Sequence, residues 1–241
     1  MTSSSTPEII ITSENVDLTN CAREQIHIPN SVQPHGVILV IEKNSFKIIQ
    51  ASENIEAVLG YRYLDVIDAP LKSILSSGNI KQIKDCLAQD FSAINPIKIK
   101  IGKETLNLIV HENQNFIFLE FEPTDKKYKN DFISFYNMTK KVVDQMQMSA
   151  GLQELSEIIV HSIRELSGFD RVMVYRFDAD ESGFVLAESK IDELESFCGL
   201  RYPATDVPQS ARRLYLLNNI RLIADVDYRT HLVSYNKRKR G

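Results

Sequence analysis

VILVIE (residues 37–42), the polar turn Lys43-Asn44-Ser45 and FKIIQ (residues 46–50) are the stretch on which the fold turns. Both flanks are rich in β-branched residues and the three between them are turn formers, so the stretch reads as a β-hairpin. Short helical pieces follow at residues 54–59, 63–67 and 71–75, and Ile80, Ile83 and Leu87 recur at the spacing of an amphipathic helix. After Pro96 come IKIKI (97–101), TLNLIV (105–110) and FIFLEFE (116–122), three strands separated by hairpin-sized gaps. Two strands, short helices and three strands make an α+β domain of about 90 residues. Pro123-Thr124-Asp125-Lys126-Lys127 is a polar boundary after it.

Toward the N-terminus, residues 1–20 are Ser/Thr/Glu-rich and are expected to be flexible. From Cys21 to Gly36 there is no regular period, yet Ile26, Ile28 and Val32 alternate with His27, Pro29, Asn30, Pro34 and His35, which reads as an ordered arm. Its prolines keep the residues before them extended. Toward the C-terminus, residues 131–166 are helical with a break at Ala150-Gly151. Leu152, Leu155, Ile158, Ile159, Ile163 and Leu166 share one helix face, and Gly168 closes it. RVMVYRF (171–177) and FVLAES (184–189) flank a turn, and a helix over residues 209–217 follows the turn Pro203–Pro208. A last short strand is expected at RLIADV (221–226), followed by an irregular basic end. This second α+β domain begins and does not finish, and a sheet of two or three strands with open edges is marginal.

The bulk numbers limit the function classes. With 241 residues, 43% hydrophobic and 25% charged, the chain is an ordinary globular one of one large or two small domains. A net charge of -4 gives no general attraction to nucleic acid, and the run Lys237-Arg238-Lys239-Arg240 reads as a solvated tail. No stretch approaches the roughly 20 apolar residues of a membrane span, and the start does not read as a signal peptide, so the chain is expected to be cytoplasmic. Cys21, Cys86 and Cys198 are odd in number and show neither disulfide nor zinc spacing. Cys86 reads as a core residue of its helix and Cys198 as buried filler. The five histidines show no metal spacing, and there is no Walker loop, HExxH or nucleophile with its base, so no enzyme is expected.

Three motifs carry a resemblance. CAREQIHIPNSVQPHGVILVIE (21–42), FDRVMVYRFDADESGFVLAES (169–189) and YPATDVPQSARRLY (202–215) resemble, in order and spacing, the PAS and GAF domains of bacteriophytochromes, from about Thr12 to Asp227. The resemblance implies a PAS domain over residues 37–123, entered by an arm over 21–36, and a partial GAF domain over 130–227, with a long helix joining the two. It implies that Cys21 forms a thioether to the linear tetrapyrrole biliverdin, and that Val32 lies where the arm threads a GAF loop. The turn Pro203-Ala204-Thr205-Asp206-Val207-Pro208 matches the motif whose Asp faces the pyrrole nitrogens, which singles out Asp206, Val207 and Pro208. Tyr175 and Tyr202 match aromatics near the D-ring, Tyr215 a tyrosine of the pocket wall, and Arg221 an arginine that pairs with a propionate.

The chemistry suits these residue types. A thiolate is the soft nucleophile for a vinyl-type carbon, although Arg23 and Glu24 near Cys21 pull its ionisation in opposite directions. Propionates call for the planar fork of an arginine, from Arg221 or the helix-borne Arg212 and Arg213. Asp206 also has a plain reading, as the residue that starts the following helix. By resemblance a GAF domain runs about a hundred residues further, with the loop that lassoes the arm, two histidines and further propionate ligands. Residues 228–241 form a basic tail that does not resemble the family, and a truncated, frame-shifted or split reading frame is expected. Two functions compete. One is a photosensory fragment that binds biliverdin and senses red or far-red light. The other is a non-pigmented PAS interaction module, with a homodimer or signalling partner reached through the long helix.

Overall fold

Alternation along the strands decides which faces meet. The computed structural model describes residue 26 and residues 30–89, 95–124 and 132–235; Cys21, the N-terminal segment 1–20, His27 and the Lys237–Arg240 run lie outside the described residues. The chain divides into two compact units, residues 27–127 with 220–241, and residues 1–26 with 128–219. The class is α+β, as the strand and helix periods predict.

In the first unit the strands are β1 (Ser31–Val32), β2 (Val37–Glu42), β3 (Ile48–Ser52), β4 (Ile97–Ile101), β5 (Glu104–Asn113), β6 (Phe116–Pro123) and β10 (His231–Tyr235). They form an antiparallel sheet in the order β1-β10-β3-β2-β6-β5-β4. Leu39 stands opposite Leu119, which stands opposite Val110; Val37, Phe121 and Leu108 form the next row. Side chains two apart share a face, so these rows bury together under Ile55 and Leu59 of α1 (Ile55–Leu59), Val66 of α2 (Tyr63–Val66), Leu71, and Ile83 and Cys86 of α3 (Ser77–Leu87). Each such Leu or Ile contributes about 1.5–3 kcal/mol by leaving water. Helix α3 starts where the Ser76 hydroxyl accepts from the Asn79 N–H at 3.2 Å.

The second strand of the opening hairpin starts two residues later than its composition predicts. Phe46 takes a left-handed conformation (φ 55°), and the turn closes through Glu42 N–H to the Lys47 carbonyl at 2.9 Å. The Phe46 ring packs on the core with the Lys84 ammonium 5.0 Å from its centre. The helical piece expected at 71–75 is a single 3-10 turn, Leu71–Ser73, led by Pro70.

The C-terminal segment corrects two expectations. RLIADV (221–226) is not a strand, and the segment expected to be irregular contains one, β10. The reason is where backbone groups find partners. The Gln33 amide donates to the Leu222 carbonyl at 2.6 Å and accepts from the Ala224 N–H at 3.0 Å, which ties down residues 222–224 without a ladder. The edge of β3 offers its unpaired groups to residues 231–235, with Val233 opposite Ser52 and Tyr235 opposite Gln50. The arm joins on the far side, Ser31 opposite Leu232, and Val233 N–H donates to the Asn30 carbonyl at 2.9 Å. Residues 30–33 of the arm are therefore held by residues 222–233.

The second unit contains α4 (Phe132–Met148), α5 (Leu152–Ser167), β7 (Arg171–Phe177), β8 (Gly183–Lys190), β9 (Arg201–Tyr202) and α6 (Gln209–Leu217). The break at Ala150-Gly151 and the Gly168 cap fall where the sequence places them; Gly168 has φ 71° and its N–H closes on the Arg164 carbonyl at 2.9 Å. Helix α5 packs across β8 and β7, with Ser156, Val160, Val185, Ala187 and Ser189 buried. The Ser189 hydroxyl meets His161 Nδ1 at 3.1 Å. Among the described residues the sheet has the order β7-β8-β9.

Two measurements test this description. Val233→Pro removes the N–H that pairs with Asn30, and protease is expected to cut within residues 220–235 while a fragment spanning 37–124 survives; an unchanged digest would refute the pairing. On the sheet, Glu120 hydrogen-bonds His111 at 3.0 Å and raises the imidazole pKa. A raised folded-state pKa stabilises below the unfolded value of about 6.5 and ceases to do so as pH rises through the folded value. The urea midpoint of His111→Gln should therefore fall below wild type at about pH 5.5 and converge with it near pH 8.5, by a small amount because the pair is half exposed.

Candidate functional site

Gly183 is the point about which the aromatic residues of the second unit gather. It pairs with Phe177 on one side and Tyr202 on the other, and a Cβ there would overlap the ring of Tyr175. The absence of a side chain on β8 lets Tyr175 lie across the strand. The pairing shifts register between Val174 and Tyr175, a bulge that re-aims the side chain. Tyr175 meets Phe177 edge to face at 5.2 Å between ring centres and Tyr202 at 6.1 Å. The Tyr175 hydroxyl is pushed up in pKa first by burial, then by the negative charge of Asp206 and by Tyr202. Phe177 and Gly183 were not picked out in the sequence. The spacing Tyr175-x-Phe177 with a glycine opposite is the signal that could have found them.

Asp206 ends a 3-10 turn, Ala204–Asp206, and is exposed. Pro208, and not Asp206, occupies the cap position of α6, and no side chain caps that helix, so the plain reading of Asp206 as its cap does not hold. Val207 is extended and half-buried between them. Tyr215 lies on α6 and is 49% exposed. Tyr175, Tyr202 and Asp206 are thus brought together, with Val207 and Pro208 in the same turn. Arg221 is exposed and belongs to the other compact unit, and Cys21 lies outside the described residues.

Charges fasten this region. In the β7–β8 turn, Asp178 pairs with Arg201 at 2.5 Å and Arg176 at 3.0 Å, and the hydrogen bond from Arg201 is the main cause that lowers its pKa. Asp180 accepts from Ser182 N–H and Oγ at 3.1 and 2.6 Å. Glu181 pairs with Arg212 at 2.5 Å, and Arg212 also donates to the Ala204 and Val207 carbonyls at 3.0 and 2.7 Å. That engagement takes Arg212 out of the set free to meet a propionate; Arg213 is exposed. On the far half of β8, the Glu188 carboxylate accepts from Ser196 Oγ, Phe197 N–H and Cys198 N–H at 2.7, 2.9 and 3.2 Å. Burial pushes its pKa up, and these bonds together outweigh it, leaving it lowered. Arg171 completes the knot 3.1 Å from Glu188, with its guanidinium 3.9 Å from the centre of the Phe197 ring. Cys198, expected to be buried, is exposed: its N–H is drawn inward by Glu188 and its side chain is left outside. Cys86 is buried as expected, and burial pushes its thiol up.

The aromatic cluster and the 3-10 turn thus lie in one region of the second unit, with Asp206 exposed. The two units have a fold of the PAS–GAF kind. Residues 21–124 match the PAS fold family. Cyanobacterial phytochrome B of Nostoc sp. is 41% identical over 218 residues, 88% of this chain and 29% of that protein. The bacteriophytochrome of Pseudomonas aeruginosa is 36% identical over 218 residues, again 88% of this chain and 29% of the relative. Among solved structures, the wild-type chromophore-binding domain of a Stigmatella aurantiaca phytochrome is 35% identical with a TM-score of 0.83, covering 90% of this chain and 74% of that one. The chromophore-binding domain of an unusual R. palustris bacteriophytochrome is 31% identical with a TM-score of 0.80, covering 88% and 70%. This chain belongs to the phytochrome family, beside the bacteriophytochromes. It spans 29% of the length of the curated phytochromes that it matches at 41% and 38% identity.

Because the Tyr175 ring occupies the space above Gly183, Gly183→Ala is expected to cost about 1–3 kcal/mol of stability and to change the tyrosine near-UV dichroism. In a Tyr175→Ala background the same substitution should cost under about 0.5 kcal/mol. Equal costs in both backgrounds would show that the ring does not depend on the glycine.

Proposed function

We propose that this chain is the chromophore-binding portion of a photoreceptor that carries biliverdin as a thioether on Cys21 and reports red or far-red light. The observation that supports the reading most is the gathering of Tyr175, Phe177 and Tyr202 around Gly183 with Asp206 at their edge, in a chain whose relatives are phytochromes. The bilin, when bound, supplies an extended conjugated system that absorbs visible light and isomerises. The chain supplies the rest. Cys21 is the nucleophile: its sulfur bonds to a vinyl-type carbon and the thiol proton balances the adjacent carbon. Tyr175 and Tyr202 restrict the rotating end of the pigment, Tyr215 extends that wall, and Arg221 meets a propionate. The turn Asp206-Val207-Pro208 presents backbone and carboxylate oxygens, acceptors for the N–H groups of a cationic pyrrole system. We place the molecule in the cytoplasm; among the described residues no helix is long and apolar enough to cross a membrane.

A second reading has an observation of its own. The first unit closes its own core, while Leu216 and Leu217 on α6 of the second unit stay 86% and 77% exposed, which favours a PAS module that folds with no pigment; in that reading it pairs with itself or with a signalling partner through the long helix. One gel separates the two readings. Purified chain incubated with biliverdin, denatured and stained with zinc should fluoresce, and Cys21→Ala should not. A wild-type band without fluorescence would remove the pigment reading and leave the second.

A further inference from the structure

We infer that Arg212 is a positioning residue that sets the Pro203–Pro208 turn in place before any ligand arrives, with Glu181 as its counter-ion. The inference rests on the proposed pigment site only for its consequence; the clamp itself is a property of the chain. Arg212 stands in the first turn of α6, and its side chain is only 15% exposed. Through Nη1 it donates to the carbonyls of Ala204 at 3.0 Å and Val207 at 2.7 Å, two residues before and one residue after Asp206. Through Nη2 it reaches the Glu181 carboxylate at 2.5 Å, on a residue of the β7–β8 turn held at φ 67°.

Each contact has a physical reason. The Ala204–Asp206 turn is too short to satisfy its own carbonyls by a helical ladder, so they need a donor from outside. A guanidinium presents several N–H groups in one rigid plane and can hold two carbonyls and a carboxylate together; an ammonium is a point charge that cannot match that fork. A nearly buried cation also needs an anion, and Glu181 supplies it. The turn's own bonds lie in series with the clamp, Asp206 N–H to the Pro203 carbonyl and Arg212 N–H to the Pro208 carbonyl, both at 3.1 Å. The same acidic turn holds β9 through Asp178 and Arg201. The β7–β8 turn therefore fastens both ends of the segment 201–208, and Asp206 sits on a preset backbone. Were Arg212 instead a ligand for a propionate, its substitution would weaken ligand binding and leave the free chain unchanged.

Hydrogen exchange on the ligand-free 241-residue chain, read by mass spectrometry, tests this. In Arg212→Ala, amides of residues 204–207 should exchange about tenfold faster than in wild type, with those of β8 unchanged. Arg212→Lys should fail to restore protection, and Glu181→Ala should give a smaller rise of about threefold. Unchanged exchange in a folded Arg212→Ala chain overturns the clamp. If that variant loses protection in β8 as well, Glu181→Ala decides: no acceleration at 204–207 in a chain with intact β8 protection overturns it, and acceleration there supports it. A parallel incubation with biliverdin separates this from the function proposed above. A wild type that takes up no pigment, together with accelerated exchange in the variant, leaves the clamp standing and removes the pigment reading. Pigment uptake with a shifted or broadened absorption band in Arg212→Lys supports both, whereas weakened biliverdin affinity with unchanged exchange assigns Arg212 to the ligand and overturns the clamp.

Discussion

The row that runs from Leu39 through Leu119 to Val110, and its neighbour from Val37 through Phe121 to Leu108, is the constraint on which the first unit depends. Side chains alternate between the faces of a strand, so a slip of β6 by one residue against β2 would carry Ile117, Leu119 and Phe121 together to the face opposite Leu39 and out of the core. No single contact has to be strong for that register to hold, because every buried row is lost at once. With the register held, α1, α2 and α3 have one apolar face to cover, and the sheet has two edges to protect.

One of those edges explains the course of residues 30–33 and 231–235. β3 would expose unpaired N–H and C=O groups along Ile48–Ser52, and β10 takes them up. β10 in turn has a free side, and Ser31–Val32 of the arm fills it. Ser31 and Val32 of the arm are therefore a strand of the sheet. Gln33 extends the same logic with a side chain, since its amide serves as a peptide-like donor and acceptor to residues 222–224 where no strand is available. Residues nearly two hundred positions apart become neighbours through backbone bonds that carry little side-chain information.

The second unit is held by electrostatics to a greater degree. Glu188 collects the loop 196–198 and pairs with Arg171, and the acidic turn 178–181 holds β9 through Arg201 and the 3-10 turn through Arg212. Partly buried carboxylates with several donors have lowered pKa values and keep their charge at neutral pH, so these ties persist where an isolated surface pair would contribute little. Their common effect is to place Tyr202 and the Asp206 turn against Tyr175. That placement arises from charged residues outside the aromatic cluster.

By itself the sequence determined the class of most elements, though not of residues 221–226 or His231–Tyr235, and the family. Periods of two and of 3.6 residues are local, and they place β4, β7 and α6 at the residues found and β5, β6 and α5 within a few. The motifs around Tyr175 and Asp206 were legible because each is a continuous run. Tertiary structure alone decided the rest. A strand such as His231–Tyr235 has little alternation and forms because β3 and β1 offer it partners. Arg212 reads in the sequence as an alternative partner for a propionate and is a clamp in the fold, since the carbonyls that recruit it are presented only once the turn has formed. Gly183 is silent until Tyr175 is seen to lie over it. Such roles depend on which atoms lie within about 3 Å of one another across distant parts of the chain, and no local pattern encodes that distance.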